Sequence, residues 1–458
     1  MIFDEYSFAD LLSNIVDNRG KTCPTENEGF PLIATNCIKD NSLYPVFEKI
    51  RYVSDDTYNN WFREHPFSGD IIFVCKGSPG RVAWVKDPVS FCIAQDMVAI
   101  RAEQRIIDPK FLFALLRSEQ VINKINNMHV GTLIPHFKKG DFKNLYLSIP
   151  RDLNSQKKIG LIYFSLSEKI EKNHEINQTL EQMAQTLFKS WFVNFEPVKA
   201  KAAVLQAGGS QEDATLAAMT AISGKDSDAL VVFEREHPEQ YTELKATAEL
   251  FPSAMQNSEL GEIPEGWELK TFGKVSNCHD KKRIPLSKPQ REKKKGDIPY
   301  YGATSIMDYV DEYIFDGIYL LLGEDGSVIK ENGLPFTQYI WGKSWVNNHA
   351  HVLTGTGSVT TEHLMVFIKQ KNIAAYVTGA VQMKLNQKNM NSIPFIFADE
   401  AVNNVFGQRI ASIYSVVRAK SEENLTLTSL RDTLLPKLLS GEITLPETEQ
   451  AVSEVENV

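Results

Sequence analysis

The constraint that most limits the fold is that this chain reads nearly the same way twice. An internal repeat fixes architecture ahead of any local propensity. Gly77-Ser78-Pro79-Gly80-Arg81-Val82 and Gly323-Glu324-Asp325-Gly326-Ser327-Val328 each follow an apolar run, Ile71 to Cys75 and Ile318 to Leu322, as a glycine turn follows a strand. Further on, Val130-Gly131-Thr132 answers Thr378-Gly379-Ala380. The strand-like stretches Leu145 to Pro150 and Ile393 to Phe397 come next. Gln156-Lys157-Lys158-Ile159 then matches Gly407-Gln408-Arg409-Ile410 at the start of two long helices.

Both helices carry a 3-4 apolar spacing. Ile159, Ile162, Leu166, Ile176, Leu180, Met183 and Leu187 fit one heptad frame; Ile410, Ile413, Val417, Leu427 and Leu434 fit the other. Lys169 with Asn173, and Lys420 with Asn424, interrupt those frames 251 residues apart. A polar residue at a seam position costs stability and fixes register or partner. At the far end Thr186-Leu187-Phe188 pairs better with Thr433-Leu434-Leu435, which implies a four-residue gap, about one turn.

A chain of 458 residues has room for two to four domains with ample core. No apolar run reaches membrane-span length, and the N-terminus has no basic-then-apolar leader. Cys23, Cys37, Cys75, Cys92 and Cys278 form no CxxC pair, which points to reduced thiols and a cytoplasmic location. The net charge of −9 is unevenly placed. Residues 201–262 hold 11 acids against 4 bases, and residues 442–458 hold 5 acids and no base. Residues 270–295 carry 10 bases against 2 acids, a run fit to meet phosphates or simply to be solvated.

Enzymatic motifs fail one by one. Gly342-Lys343-Ser344 resembles the end of a phosphate loop, but Thr337 stands where its first glycine belongs. His349 and His351 have no third metal ligand at useful spacing. Glu292-Lys293-Lys294 is a lone nuclease-like tripeptide in a basic loop, and no glycine-rich cofactor fingerprint or local nucleophile signature is present.

Three stretches carry a resemblance to a known family: Leu187-Phe188-Lys189-Ser190-Trp191-Phe192-Val193-Asn194-Phe195-Glu196-Pro197, Ser258-Glu259-Leu260-Gly261-Glu262-Ile263-Pro264-Glu265-Gly266-Trp267, and Leu434-Leu435-Pro436-Lys437-Leu438-Leu439-Ser440-Gly441-Glu442-Ile443. Pro299-Tyr300-Tyr301-Gly302 and Val346-Asn347-Asn348-His349-Ala350-His351 add to it. Across nearly its whole length the chain resembles the specificity subunit of a type I restriction–modification system. It departs from the family pattern in lacking an Ile-Pro-x-Gly-Trp preface to the first recognition domain and in the length of its central insert.

The resemblance implies a mixed α/β fold, with two target recognition domains separated by two long antiparallel coiled-coil helices. The expected domains are recognition domain 1 at 1–150, helix 1 at 151–198, an acidic linker or insert at 199–258, recognition domain 2 at 259–400, helix 2 at 401–441 and an acidic tail at 442–458. Each recognition domain is expected to read one half of an interrupted DNA sequence. The helices act as a ruler, about 45 Å per 30 residues. Two modification subunits and the restriction subunits are the implied partners. S-adenosylmethionine, ATP and Mg are expected on those partners, leaving this chain without chemistry or metal of its own.

DNA-contacting candidates are Arg19, Lys21, Lys76, Arg81, His129, Thr132, His136 and Lys138 in copy one. In copy two they are Lys281, Arg283, Lys293, Tyr301, Lys343, Asn347, Asn348 and His349. Phe188, Trp191, Phe192 and Phe195, with Leu434, Leu435 and Leu438, either cap a core or form a partner-subunit interface. The competing readings are a protein-binding scaffold without DNA affinity and a self-contained DNA methyltransferase or nuclease.

Overall fold

A computed structural model describes residues 2–18, 21–128, 135–379 and 382–443. The chain divides into two compact units: Met1–Glu175 with Lys420–Val458, and Ile176–Ala419. Each is described by itself.

Among its described residues unit 1 has nine strands: β1 (Phe3–Ser7), β2 (Leu12–Asp17), β3 (Phe30–Ile33), β4 (Arg51–Val53), β5 (Ile71–Val74), β6 (Val82–Trp84), β7 (Cys92–Ile93), β8 (Met97–Ala102) and β9 (Tyr146–Pro150). They form sheets β2-β8-β5-β6, β4-β3-β7 and the pair β1-β9. Strand β5 is buried at every residue, Ile71-Ile72-Phe73-Val74, as a central strand covered on both faces must be. The helix Pro109–Leu116 covers one face. Asp108 caps it by accepting from the Phe111 amide, and Pro109 supplies the pre-set φ of a first turn.

Unit 2 repeats the plan. Its strands are β10 (Met255–Ser258), β11 (Gly261–Pro264), β12 (Glu268–Thr271), β13 (Ser276–Cys278), β14 (Lys295–Tyr301), β15 (Ile306–Val310), β16 (Phe315–Asp316), β17 (Tyr319–Gly323), β18 (Thr337–Ile340), β19 (Lys343–Val346), β20 (Ala350–Gly355) and β21 (Pro394–Phe397). The sheet β13-β20-β17-β18 answers β2-β8-β5-β6, β15-β14-β19-β16 answers β4-β3-β7, and β12-β21 answers β1-β9. Both copies even share one parallel pair, β3 with β7 and β14 with β19, in otherwise antiparallel sheets. The helix Thr361–Gln370, capped by Thr360, stands where Pro109–Leu116 stands.

The long helices are Leu153–Phe192 and Glu400–Ser440. They run antiparallel within each unit. In unit 1 the Arg431 guanidinium lies over the Tyr163 ring at 5.4 Å, and Asn173 Nδ2 donates to Asn424 Oδ1 at 2.9 Å. Asn424 Nδ2 donates to the Ile170 carbonyl at 3.2 Å. In unit 2, Asn177 Nδ2 donates to the Val417 carbonyl at the same distance.

These bonds correct the register of the repeat. Asn424 on Ile170 and Asn177 on Val417 are the same interaction, so the equivalent asparagines are Asn177 and Asn424, 247 residues apart. Asn173 is bonded to Asn424 but is not its counterpart. The same offset links Gly160, pressed on the Phe111 backbone, with Gly407, pressed on Thr360, and links buried Gln156 with buried Asn403. The expected four-residue gap disappears. Sliding a helix by four residues returns nearly the same apolar face, so spacing alone could not tell the two registers apart.

Two seam assignments also change. Met183 is 54% exposed and Ala184 is buried in its place. Lys169 and Lys420 lie at the rim, both paired with Glu423, at 3.5 and 2.7 Å. A straight helix drifts from a strict heptad by about 20° per repeat, roughly 70° between Ile159 and Met183, enough to turn position 183 off the seam.

Residues 199–258 are folded, where a linker with some helix was expected. Four helices, Glu196–Gln206, Gln211–Ser223, Ser227–Glu236 and Pro238–Glu249, share a small core of Ala218, Met219, Leu230, Leu244 and Ala248. Ser210 and Asp213 form a capping box, and Gly224 ends that helix in the left-handed region. Buried Lys201 ties the module down by donating to the carbonyls of Ala248 (3.2 Å) and Phe251 (2.6 Å), which end the last helix. Burial holds its ammonium below the usual lysine range.

Candidate nucleic-acid interface

Three loops meet in each unit at the end of the central strand, and the same hydrogen bonds hold them. In unit 1, the Cys75 amide donates to Asp96 O (2.9 Å), the Phe137 amide to Cys75 O (2.8 Å) and the Gly77 amide to Pro135 O (3.1 Å). In unit 2, the Glu324 amide donates to His349 O (2.9 Å), the Leu385 amide to Glu324 O (2.9 Å) and the Gly326 amide to Met383 O (3.0 Å). Each set includes an isolated β-bridge, Lys76 with His136 and Asp325 with Lys384.

These bonds make Cys75 equivalent to Glu324, Lys76 to Asp325, Gly77 to Gly326 and His136 to Lys384. The glycine turns therefore match three residues away from the sequence pairing of Gly77 with Gly323. Each turn carries two glycines three apart, and only the ladder shows which corresponds to which. Gly77 and Gly326 both have positive φ, 84° and 78°, which such turns need.

The frame is the same and its backing is not. Behind the unit 1 loops lie Cys75, Val98 and Phe137, all buried and uncharged; burial pushes the Cys75 thiol up to about 12. Behind the unit 2 loops lies an ionic cluster. Arg283 Nη1 donates to Glu324 Oε2 (2.7 Å) and to the Ala350 carbonyl (2.6 Å). His351 Nδ1 meets Asp280 Oδ2 at 2.6 Å, and its Nε2 meets the Leu385 carbonyl at 2.7 Å. Two acceptors on two ring nitrogens require two N–H groups, so His351 is an imidazolium. Burial is the largest influence and opposes that charge, but the bond to Asp280, the Cys278 side chain, the negative charge of Asp280 and the Leu385 carbonyl together outweigh it and raise the pKa to about 9. Cys278, Asp280 and His351 lie close enough to suggest a metal site. Both imidazole nitrogens are already committed as donors, however, and Arg283 sits 3.3 Å from Asp280, so the cluster is a salt network.

The predicted contact residues divide accordingly. Lys76, His136 and Lys138 lie on the unit 1 loops; Lys76 and Lys138 are exposed. Asn348 and His349 lie on the unit 2 loops and are exposed. Arg19, His129 and Thr132 fall outside the described residues. Arg81 pairs with Asp40 at 3.0 Å. Arg283 is 11% exposed and spent on the salt network, and buried Asn347 shapes its own turn by accepting from the His349 amide. Exposed Lys21, Lys281, Lys293 and Lys343 and half-buried Tyr301 lie off the three-loop frame. Lys343 sits over the Tyr313 ring.

Sequence reasoning missed Asp325, Gln382 and Lys384, which share the unit 2 frame. The signal was present: carrying the match of Gly131 with Gly379 five residues on sets His136 against Lys384.

The aromatic end of the first long helix is core. Trp191 is fully buried; Phe188, Phe192 and Phe195 are at most 6% exposed and pack with Trp267, Phe406 and His363. Leu434, Leu435 and Leu438 are buried in unit 1. Beside each set runs a groove. One of about 510 Å³ is lined by Phe188, Phe192, Phe195 and exposed Val193 and Leu260; the other, of about 980 Å³, is lined by Leu435, Leu439, Arg117 and Arg431. Phe188 and Leu435 are equivalent at the 247-residue offset.

Two copies of one α/β unit thus hold their converging loops on the same hydrogen-bonded frame. The family described as type I restriction modification DNA specificity domain matches residues 12–182 and 264–427, and the chain belongs to it. The HindI specificity subunit of a type I restriction enzyme from Haemophilus influenzae is 31% identical over 82% of this chain and 86% of its own length. The MjaIX specificity subunit from Methanocaldococcus jannaschii is 20% identical over 83% of this chain and 78% of its own. Among solved structures, the S subunit of a type I restriction-modification system from M. genitalium covers 96% of both chains at 16% identity, with a TM-score of 0.48. Residues 183–263, which include the four-helix module, lie outside the family match.

Proposed function

We propose that this chain is the DNA-reading subunit of a type I restriction–modification complex. Each recognition unit reads one half of a two-part target, and the paired helices set the unread stretch between the halves. The observation that carries this reading is the duplicated three-loop frame: one hydrogen-bonded scaffold, built twice, with different side chains on its loops. Loops on a rigid frame can vary their donors and acceptors without disturbing the core. Phosphate contacts position such a reader and base edges specify the sequence.

In this reading the chain performs no reaction. Methyl transfer, ATP use and their S-adenosylmethionine and Mg belong to the modification and restriction subunits, and the assembly works in the cytoplasm, where its DNA is. The grooves beside Phe188 and Leu435, equivalent in the two units, favour two like modification subunits docking once per unit.

The test is methylome sequencing of cells expressing this chain with its methylating partner. The expected result is a single interrupted motif, and exchanging residues 1–150 for those of another family member alters one half of it. Methylation by the isolated chain, or an uninterrupted motif, overturns the reading.

A further inference from the structure

Position 325 and its counterpart, position 76, carry opposite charges on the same backbone bridge. Lys76 is bridged to His136 and Asp325 to Lys384. Lys76 is exposed and, among the described residues, has no carboxylate partner. Lys138, two residues beyond His136, is likewise exposed, and its ammonium, among the described residues, has no carboxylate partner. Asp325 is held differently. Gln382 Nε2 donates to its Oδ1 at 2.8 Å, and His349 Nδ1 lies 3.8 Å from its Oδ2. Its neighbour Glu324 is neutralised from behind by Arg283. The carboxylate of Asp325, 23% exposed, and the Oε1 of exposed Gln382, which accepts no bond among the described residues, therefore form an acceptor pair at the loop tip, pre-oriented by their mutual bond.

We infer that residues 76 and 325 are equivalent specificity-determining positions that read base pairs of opposite polarity. This rests on the reading of the chain as a two-part DNA recogniser. A lysine ammonium matches the N7 and O6 acceptors of guanine; a carboxylate matches the N4 amino group of cytosine. Asp325 set against guanine would face O6 and N7 with like partial charge, so the penalty for the inverted pair sharpens the choice. His349 flanks the carboxylate, and Lys384, bridged to Asp325 and with its ammonium 4.0 Å from Glu324, adds a nearby positive charge; both offset repulsion from the phosphates.

The experiment uses the full chain assembled with its methylating partner and a library of two-part targets, read by sequencing the methylated fraction. With D325N, discrimination at one G·C pair, in the half-target read by unit 2, falls by roughly ten- to a hundredfold. The other half-target and the spacing stay as they were. With D325K that pair is preferred in the inverted orientation. With K76Q the loss appears at one G·C pair of the other half-target. Hydrogen exchange over β17 and β20 checks that the unit 2 fold is retained. The inference is overturned if D325N leaves the motif unchanged, if it changes affinity for all sequences alike, or if the relaxed pair is A·T. An unsubstituted chain that reads no split target overturns both this inference and the function it rests on.

Discussion

The two recognition units differ most where they are most alike. Their loops hang on the same three backbone hydrogen bonds, yet unit 1 backs them with Cys75, Val98 and Phe137 and unit 2 with Glu324, His351, Asp280 and Arg283. A fixed backbone frame thus tolerates either an apolar or an ionic filling. Each filling is closed on itself: the first has no charge to compensate, and the second compensates every charge it buries. Exchange of a single residue between the two should fail more severely than exchange of the whole set.

The largest expected effect tests that closure. Arg283→Ala removes the cation facing Glu324 and Asp280 and leaves two half-buried carboxylates undercompensated, at a cost of about 3 kcal/mol. The loss should appear as faster hydrogen exchange over β17 and β20, with β5 and β8 unchanged. Equal loss in both units would show that the fillings are not independent.

The second effect is pH dependence confined to unit 2. The folded-state pKa of His351 is raised, so its contribution is fully present below about 6.5 and is lost as pH rises through about 9. His363 acts in the opposite direction. It is fully buried among Phe188, Phe192 and Phe406, and burial pushes it down to about 3, so stability falls as the pH drops from about 6.5 toward 3. Unit 2 should therefore be most stable near pH 6.5 and lose up to about 3 kcal/mol by pH 10. Exchange rates of unit 2 amides, corrected for their intrinsic pH dependence, measure this. His351→Val should abolish the alkaline limb, and a limb that survives it would assign the effect elsewhere.

A smaller effect tests the corrected repeat. Asn424→Ala removes the bonds to Asn173 and Ile170, and Asn177→Ala removes the bond to Val417. Each should cost about 1–2 kcal/mol, Asn424 more because it strands a buried amide. An Asn177→Ala variant that is silent in thermal unfolding would break the equivalence of the two asparagine-to-carbonyl bonds. The smallest effect is that of Arg81→Ala. Its pair with Asp40 is 39% and 69% exposed, so less than about 1 kcal/mol should be lost, in contrast to Arg283.

Much of this architecture was legible in the residues. The duplicated order of turn, strand and helix, the burial of Asn173 and Asn424, and the family all came from reading the chain. The candidate site was legible in part. Lys76, His136, Lys138, Asn348 and His349 fell on the loops that converge, whereas Arg283 and Asn347 were chosen for their chemistry and prove structural. Side-chain type announces that a residue can form hydrogen bonds; it does not announce whether a partner from 41 residues away, as with Glu324 and Arg283, has already claimed it.

The sequence by itself determined that there are two copies of one unit, because hydrophobic period and turn chemistry are local and survive duplication. It determined also that the long helices carry buried amides. Only the tertiary structure decided the alignment of the copies, Gly77 with Gly326 and Asn177 with Asn424, because shifts of three or four residues preserve a glycine pattern or a helical face while breaking the hydrogen bonds that define equivalence. It alone decided that residues 199–258 form a packed module. Their charge is a sum over the surface, whereas folding depends on the few apolar side chains, Met219, Leu230 and Leu244 among them, that four short helices bring together.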